Sequence, residues 1–386
     1  MRDAVIVDIM RTATGKGKVG GAWSATHPAD LLGATLADLL QRTGIDPATV
    51  EDVIGGTVSQ AGQQSMNITR TAVLAAGLPA HVPATTVDRQ CGSSQQAAAF
   101  AAQGVLAGAY DVVIACGVES MSRVPMFSPT LGQDPWGVKL ADRYPDGLVS
   151  QGISAELIAA RWKLDRSDLD AYSARSHQRA ARAAADGGFD REIVGAVRVD
   201  ETVRPSTTED GLAGLRSSFY DEALAARFPE IGWHITPGNS SPLSDGASAA
   251  LIMEADVAAR AGLTPLARFH SAVAVGDDPL LMLTGVIPAT SKVLARSGLT
   301  MQDLDAYEVN EAFAPVPLIW QQEFNADPER LNPRGGAIAL GHPLGASGLR
   351  LMSTLVHHLH ATSGRYGLQT MCEGGGMANA TIIERL

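Results

Sequence analysis

Cysteine is scarce in this chain, and positive charge is outweighed by negative charge. The 386 residues include only Cys91, Cys116 and Cys372, which are too few and too far apart for a disulfide framework. Thirty Lys and Arg against 41 Asp and Glu give a net charge of −11, which argues against a protein that coats nucleic acid or anionic lipid. We therefore expect three free thiols, each of which must be interpreted separately. We expect no nucleic-acid partner.

The sequence also lacks hydrophobic runs suited to a membrane. The first apolar run, residues 4–9, ends near Arg11 without the longer stretch and cleavage site of a signal peptide. Residues 97–118 contain Asp111 and a break at Gly108, so we interpret them as a helix over about 93–109 and a buried strand over about 111–117. These features predict a cytoplasmic protein without a membrane partner.

Apolar strands alternate with amphipathic helices along most of the chain, which predicts an α/β fold with a mostly parallel sheet. The length of the chain favours two domains or a doubled fold. Residues 44–56 resemble 298–310, and 112–121 resemble 369–377. Two similar pairs in the same order predict an internal duplication, with units near 30–121 and 285–377.

Residues 122–245 differ in character from these units. They are rich in Pro, Asp and Arg and include a predicted helical run over 155–185. This segment is either a solvated helical excursion or a clamp over an active site.

Cys91 has the sequence context of a reactive thiol. It follows an extended run over 83–87 and precedes Gly92-Ser93-Ser94 and an Ala-rich helix. A sulfur at a helix N-terminus is expected to have a lowered pKa. The alternative is that Cys91 is a buried small apolar residue.

Three further positions combine polar chemistry with unusual backbone. His342 lies among five glycines in residues 335–348, as a base aimed into a narrow channel would. Cys372 precedes the glycines 374–376, whose amides could face an oxyanion. Asn310 ends a predicted strand and could hold a water or be purely structural.

Other polar patterns in the sequence are weaker evidence for a functional site. His357, His358 and His360 are expected on a solvated helix face, since no Cys or carboxylate stands at metal-ligand spacing. Residues 15–20 match G-x-G-x-x-G but lie five residues beyond the first strand, and no helix opens there. No serine-hydrolase elbow or P-loop motif occurs.

The chain resembles the thiolase family of acyl-CoA C-acyltransferases, and the similarity covers almost its whole length. Four family motifs stand in order: Cys91-Gly92-Ser93, Asn310-Glu311-Ala312-Phe313, Gly341-His342-Pro343 and Cys372-Glu373-Gly374. The resemblance implies two βαβαβαββ halves in a five-layer αβαβα sandwich. It places the N-terminal domain over 1–256, with a loop domain inserted at about 119–246, and the C-terminal domain over 263–386.

The resemblance also implies the site. Cys91 would be the nucleophile, His342 its base and Cys372 the acid and base at carbon, with oxyanion holes from His342 with an Asn310-held water and from the amides of Cys91 and Gly374. Coenzyme A would be a substrate, with no cofactor and no metal. The residues expected to contact the CoA or acyl portions are Arg204, Arg216, Ser241, Met282 and Ser150.

The sequence leaves specificity open. Ser150-Gln151-Gly152 stands where short-chain biosynthetic members often have His-Met-Gly, which favours degradation of 3-ketoacyl-CoA, whereas Met282 matches an acyl-pocket Met of those members. Acetoacetyl-CoA synthesis and a non-catalytic lipid-binding protein remain alternatives, and a β-ketoacyl synthase would lack Cys372. The resemblance further implies a homodimer or homotetramer, with partner contacts near residues 63–70.

Overall fold

The computed structural model describes residues 2–386, in which strands and helices alternate as the sequence predicts. The strands are β1 (Ala4–Thr12), β2 (Gly15–Lys16), β3 (Asp52–Gly56), β4 (Ala84–Val87), β5 (Val112–Ser120), β6 (Ile193–Val194), β7 (Ser244–Glu254), β8 (Ala267–Gly276), β9 (Ala306–Val309), β10 (Tyr366–Glu373) and β11 (Met377–Arg385). The helices are α1 (Pro28–Thr43), α2 (Ile68–Ala75), α3 (Ser93–Ala107), α4 (Val138–Arg143), α5 (Gln151–Trp162), α6 (Arg166–Ala185), α7 (Glu209–Ala213), α8 (Glu222–Arg227), α9 (Ala255–Arg260), α10 (Val286–Ser297), α11 (Pro315–Phe324), α12 (Ala337–Leu340) and α13 (Leu344–Thr362). The α/β class is confirmed.

The strands form a mixed sheet, so the prediction of a mostly parallel one is wrong. Strand order is β4-β3-β5-β7-β1-β8-β11-β10-β9, with β2 beside β7 and β6 beside β1. β3 is parallel to β4 and β5, and β9 is parallel to β10, but β7 and β11 run antiparallel to both of their neighbours in this order. The turn of three glycines between β10 and β11 makes a tight hairpin, which forces an antiparallel pair.

The helices lie in three layers with sheet between them. α1 and α2 pack on the outer face of the N-terminal strands, and α10 and α11 pack on the outer face of the C-terminal strands. α3 and α13 lie in the middle and contribute to one core with residues of β1, β5 and β7 and of β8, β9 and β11. This arrangement is the five-layer sandwich that the resemblance implies.

Glycines allow the two central helices to approach closely near their N-termini. A β-carbon placed on Gly348 of α13 would lie 2.1 Å from the Gln95 amide nitrogen of α3, and α13 also approaches β5, where a β-carbon on Gly117 would lie 2.3 Å from the Gly345 carbonyl oxygen. The Leu349 amide also donates to Ser94 Oγ at 3.0 Å. The loops that enter α3 and α13 therefore meet at one end of the molecule.

The segment between β5 and β7 holds β6 and α4 to α8. The helical run predicted over 155–185 is two helices, because Lys163 ends α5 with a φ of 57° and Asp165 starts α6 with a capping box to Asp168. α5 and the start of α6 pack into the apolar core of the C-terminal half through residues such as Ile158 and Leu169. The inserted segment is therefore anchored to the sandwich and is not only a solvated excursion.

Candidate active site

Cys91 lies at the start of a central helix, immediately before its N-cap residue Gly92. Its side chain is buried in a small cluster with Leu351 and Met371, and Leu344 packs against the same cluster. Leu351 and Leu344 belong to α13 and Met371 to β10. The thiol is thus enclosed by elements of the C-terminal half.

His342 lies in the loop before the other central helix, and a hydrogen-bond network sets the orientation of its imidazole. Nδ1 is 2.6 Å from Ser347 Oγ, whose hydroxyl donates to the Pro343 carbonyl at 2.8 Å. Because that hydroxyl proton is already used, Ser347 accepts from His342 and the imidazole proton lies on Nδ1. Nε2 is then an acceptor, and it faces Asn310 Nδ2 at 3.3 Å.

Asn310 follows β9 and connects the His342 network to β10, the strand that contains Cys372. Its backbone amide donates to the Thr370 carbonyl of β10 at 3.0 Å. Its Oδ1 is buried and accepts no hydrogen bond from any other residue in 2–386. A buried acceptor without a protein donor can accept a hydrogen bond from a water or a substrate group.

Cys372 is fully buried near the end of β10, and its loop touches the loop of Cys91. A β-carbon on Gly92 would lie 2.0 Å from Glu373 Oε1, and one on Gly374 would lie 2.9 Å from Gln90 Oε1. Gly375 and Gly376 have φ values of 81° and 74°, which favour glycine. The strand can therefore turn directly after Cys372 and leave the backbone of Gly374 against the nucleophile loop.

Burial keeps the ionisable side chains of the site neutral. It raises the pKa of Cys91 well above the ordinary thiol value, and the charges of Cys372 and Glu373 act in the same direction. Burial and Glu373 raise the pKa of Cys372 to about 12. Burial and the Arg350 guanidinium lower the pKa of His342 to about 3.

The expectation that a helix N-terminus lowers the pKa of Cys91 is therefore wrong in direction. The helix dipole stabilises a thiolate only modestly. The cost of desolvating a buried thiolate is larger, so the pKa of the thiol rises. The Cys91 thiol and the His342 imidazole are therefore both neutral near neutral pH.

Two cavities lie beside these loops and share Ser150. A cavity of about 240 Å³ is lined by His342, Ser241 and Phe313, and a larger one of about 770 Å³ is lined by Met282, Gly375 and Met377. Three of the five predicted substrate contacts thus line a cavity. Arg204 and Arg216 are exposed in the inserted segment and line neither cavity.

Sequence reasoning missed residues that hold the loops in place. Ser347 orients His342, and Ser244 Oγ accepts from the His342 amide at 3.0 Å. The Glu311 carboxylate accepts from Tyr172 at 2.8 Å, from Ser176 at 2.7 Å and from the Ile338 amide at 3.1 Å, and so ties the Asn310 loop to α6 and α12. The sequence contains one sign of this role for Ser347. It stands five residues after His342, in the first turns of the helix.

The three clustered histidines do not form a solvated face, so that expectation is wrong. His357 is 5% exposed, and its Nε2 lies 3.3 Å from the Ile9 carbonyl. His360 Nε2 lies 2.8 Å from the Leu266 carbonyl, and burial lowers the pKa of His358 to about 4. The central position of α13 leaves little solvated surface. Within residues 2–386 no group of three His, Cys, Asp or Glu is placed to hold a metal ion.

No helix in the described part of the chain is both long and apolar enough to cross a membrane. The loop that matches G-x-G-x-x-G wraps around a carboxylate, because the amides of Lys16 and Ala22 donate to Glu201 Oε2 at 2.9 and 2.8 Å. An acidic group at that position disfavours a phosphate there.

Comparison with known proteins agrees with the geometry. The family model for the thiolase N-terminal domain matches residues 4–256, and that for the thiolase C-terminal domain matches residues 263–385. The chain is 46% identical to a steroid 3-ketoacyl-CoA thiolase of Mycobacterium tuberculosis, over 100% of this chain and 95% of that protein. It is 38% identical to a 3-ketoacyl-CoA thiolase of Bacillus subtilis and 40% identical to a 3-oxoadipyl-CoA/3-oxo-5,6-dehydrosuberyl-CoA thiolase of Escherichia coli, each over 100% of both chains. The chain belongs to the thiolase family and is an acyltransferase.

Proposed function

We propose that the protein cleaves 3-ketoacyl-CoA with coenzyme A, releasing acetyl-CoA and a shortened acyl-CoA. The observation that carries this proposal is the meeting of the Cys91, Asn310, His342 and Cys372 loops at one end of α3 and α13. Full-length similarity to named 3-ketoacyl-CoA thiolases supports the substrate class.

In the first half-reaction, His342 Nε2 takes the proton of Cys91, and the thiolate attacks the keto carbon of the substrate. The bond between C2 and C3 breaks, and its electron pair becomes the enolate of acetyl-CoA. The Cys372 thiol protonates C2, so acetyl-CoA leaves while the acyl group stays on Cys91.

In the second half-reaction, the Cys372 thiolate takes the proton of incoming coenzyme A. The CoA thiolate attacks the acyl carbon, the bond to Cys91 breaks, and the imidazolium of His342 returns its proton to Cys91. These steps use side chains and backbone amides, with coenzyme A as a substrate and no cofactor or metal.

Two oxyanions need hydrogen-bond donors. We assign one to the amides of Cys91 and Gly374, because the Gly92–Glu373 and Gly374–Gln90 contacts hold these two loops together. The other we assign to His342 with a water held by Asn310 Oδ1. The imidazole can serve there once its proton is on Nε2, facing the substrate.

Coenzyme A needs donors on an acidic protein. Ser241 lines the cavity that contains His342, and its amide donates to the Ala312 carbonyl, so it lies beside the Asn310 loop. Arg204 and Arg216 are exposed on the inserted segment, where flexible cations can reach phosphates outside the cavity. We assign Ser241 to the pantetheine portion and the two arginines to the nucleotide end.

The acyl group fits the larger cavity. Its walls come from Met282 and Met377 on one side and from Trp136, Leu140 and Tyr144 of the inserted segment on the other. A volume of about 770 Å³ exceeds what an acetyl group needs. This favours medium, long or ring-bearing acyl groups over acetoacetyl-CoA synthesis.

Kinetics across 3-ketoacyl-CoA substrates of increasing chain length, together with a ring-bearing substrate, test this function. We expect kcat/KM to rise from acetoacetyl-CoA to the longer or ring-bearing substrates. A maximum at acetoacetyl-CoA with efficient condensation of acetyl-CoA would instead favour the biosynthetic role. Absence of turnover and of an acyl adduct on Cys91 with all of them would favour a lipid-binding protein.

We also propose a homodimer or homotetramer in the cytoplasm. β4 is an edge strand, and the neighbouring segment 63–70 presents Met66 at 90% exposure with a φ of 59°. An uncovered strand edge with an apolar neighbour is suited to pairing with a second copy. Sedimentation of an active monomer would contradict the assembly.

A further inference from the structure

Two arginines of α6 make similar contacts but hold different parts of the molecule. Arg166 is the first residue of the helix, and Arg179 stands nearer its end. Each guanidinium pairs with one carboxylate and donates to two backbone carbonyls. Each arginine is therefore an anchor between α6 and a neighbouring segment, and its role depends on which segment it holds.

Arg166 connects α6 to the chain at the end of α7. Its Nε donates to Asp170 Oδ2 at 2.6 Å, and its Nη2 donates to the Leu212 carbonyl at 2.6 Å and to the Leu215 carbonyl at 3.1 Å. Asp170 is 1% exposed, and its other oxygen accepts from Asn239 Nδ2 at 2.9 Å. A buried carboxylate thus fixes the orientation of the guanidinium that binds the two carbonyls.

The two carbonyls that Arg166 binds lie directly before Arg216. Leu215 is the neighbour of Arg216 in the chain, and the backbone around it is irregular, so its position depends on individual contacts. A β-carbon on Gly238 would lie 2.6 Å from the side chains of both Leu212 and Leu215, which places this backbone against the loop before β7. Arg166 therefore fixes the backbone that carries the exposed Arg216 side chain.

A second anchor holds the chain beyond Arg216. The Ser218 amide donates to the Ile235 carbonyl at 2.8 Å. Phe219 packs edge-on against Phe313, with ring centroids 6.1 Å apart, and both rings line the smaller cavity. Loosening the first anchor should therefore displace Arg216 and leave this wall of the cavity in place.

Arg179 provides a reference on the same helix. Its Nη1 donates to the carbonyls of Pro328 at 3.0 Å and Leu331 at 2.6 Å, and its Nη2 lies 2.9 Å from Glu329 Oε2. These three partners lie in the C-terminal half between α11 and α12 and line neither cavity beside the active-site loops. Arg179 thus anchors α6 in the same way without holding a segment assigned to substrate.

We propose that Arg166 is a positioning residue that holds Arg216 in place for the phosphates of coenzyme A. The proposal rests on the proposed function, in which Arg216 contacts the nucleotide end. The planar guanidinium binds the carboxylate and both carbonyls at once, which an ammonium group does not do as well. The entropy cost of ordering the segment is then met in the free protein, so less binding energy is lost when coenzyme A binds.

The test compares substrates with and without the nucleotide. Thiolysis of 3-ketooctanoyl-CoA by coenzyme A, and of 3-ketooctanoyl-pantetheine by pantetheine, is measured in wild type and Arg166→Lys. Lysine keeps a positive charge beside Asp170 but lacks the fork that binds both carbonyls. We expect kcat/KM for the CoA pair to fall about tenfold, mainly through KM, and that for the pantetheine pair to fall less than about twofold. Calorimetric titration should show the same loss of affinity for coenzyme A itself.

A double-mutant cycle shows whether the effect passes through Arg216. Arg216→Ala should also weaken the CoA pair selectively, and the double variant with Arg166→Lys should be no worse than Arg216→Ala alone. Arg179→Lys is the matched control, and its ratio of kcat/KM for the CoA pair to that for the pantetheine pair should equal wild type. Leu215→Ala loosens the same segment from its other side and should lower this ratio. It replaces Arg166→Lys if that variant does not fold.

An equal fall for both substrate pairs in Arg166→Lys would overturn the proposal. So would full additivity with Arg216→Ala, or an equal change of the ratio in Arg179→Lys. Failure of the proposed function looks different, because wild type itself would then turn over neither pair. In that case the calorimetric affinities decide, and equal affinities of wild type and Arg166→Lys for coenzyme A would overturn the role of Arg166.

Discussion

The two halves of the molecule place a cysteine at corresponding points of their sheets, and only one of these cysteines is followed closely by a turn of glycines. Cys116 lies in β5 and packs against the outer α1–α2 layer, whereas Cys372 lies in β10 and packs on the side of α10 and α11. Both are fully buried, and burial raises the pKa of both thiols. Burial therefore does not distinguish them.

The difference lies in the residues that come directly after each cysteine. After Cys116, β5 continues to Ser120 and stays paired with β7, and Glu119 is held by four hydrogen bonds. After Cys372, the strand ends within one residue, and Gly375 and Gly376 turn the chain beside the larger cavity. Early termination of one strand therefore places glycine backbone of that half against a cavity.

The two central helices also differ in the functional residue that precedes each of them. α3 is preceded by Cys91 and α13 by His342, at the end of the molecule where the two helices approach each other. In the proposed mechanism, the duplicated scaffold thus contributes a nucleophile from one half and a base from the other. Changing single residues at matched positions tests how far the halves have diverged.

The largest effect is expected for Cys91→Ala. Thiolysis and condensation should both be abolished, because no acyl-enzyme can form. Intact-mass analysis of wild type after brief exposure to an acyl-CoA should show one acyl group on Cys91. An adduct on Cys116 alone would show that Cys116, and not Cys91, is the nucleophile.

Cys372→Ala should separate acyl transfer to Cys91 from the steps that make or break a bond to, or protonate, the carbon next to the thioester. Acetylation of Cys91 by acetyl-CoA should persist, although more slowly than in wild type, because it forms no carbanion and Cys372 supplies only the proton of the departing CoA thiolate. Thiolysis, condensation and deuterium exchange into the methyl group of acetyl-CoA should each fall by about 10² to 10⁴. Exchange at the wild-type rate would mean that another group, such as His342, is the acid and base at carbon.

Ser347→Ala should have a smaller effect, since it removes no reacting group but only the hydroxyl that accepts from His342 Nδ1 and donates to the Pro343 carbonyl. One neutral hydrogen bond corresponds to about tenfold in rate, and we expect the loss in kcat with little change in KM. Ser353→Ala is the matched control, because Ser353 is buried in the same helix and its hydroxyl has no hydrogen-bond partner in the described residues. Equal losses in both variants would point to packing of α13.

The His342 network also has a pH consequence. Burial and Arg350 lower the pKa of His342 to about 3, so its imidazole is neutral and able to accept a proton at any pH above that value. The acylation rate of wild type should therefore show no acid limb near pH 6.5, the ordinary imidazole pKa. A limb at that pH would mean that His342 is solvated in the working enzyme.

Much of this site could be predicted from sequence because its chemistry is concentrated in short loops. Cys91, His342 and Cys372 stand beside glycines whose backbone freedom is visible in the sequence. Desolvation could not be read in the same way, since it depends on Leu351 and Met371 from distant parts of the chain. For the same reason the sequence-based expectations for the pKa of Cys91 and the exposure of His357 are wrong.

The smallest effect is expected for Cys116→Ala, which tests whether the cysteine of β5 has kept any chemistry. It packs among apolar residues of α1 and the neighbouring strands, so loss of one buried sulfur should cost about 1 kcal/mol of the free energy of unfolding. Turnover and Cys91 acylation at a permissive temperature should equal wild type, because Cys116 lines neither of the two cavities beside the active-site loops. Urea unfolding measures the stability change and steady-state kinetics measure the activity. A selective loss of activity with unchanged stability would mean that β5 communicates with the site, and the two halves would then be less divided in function than their strand ends indicate.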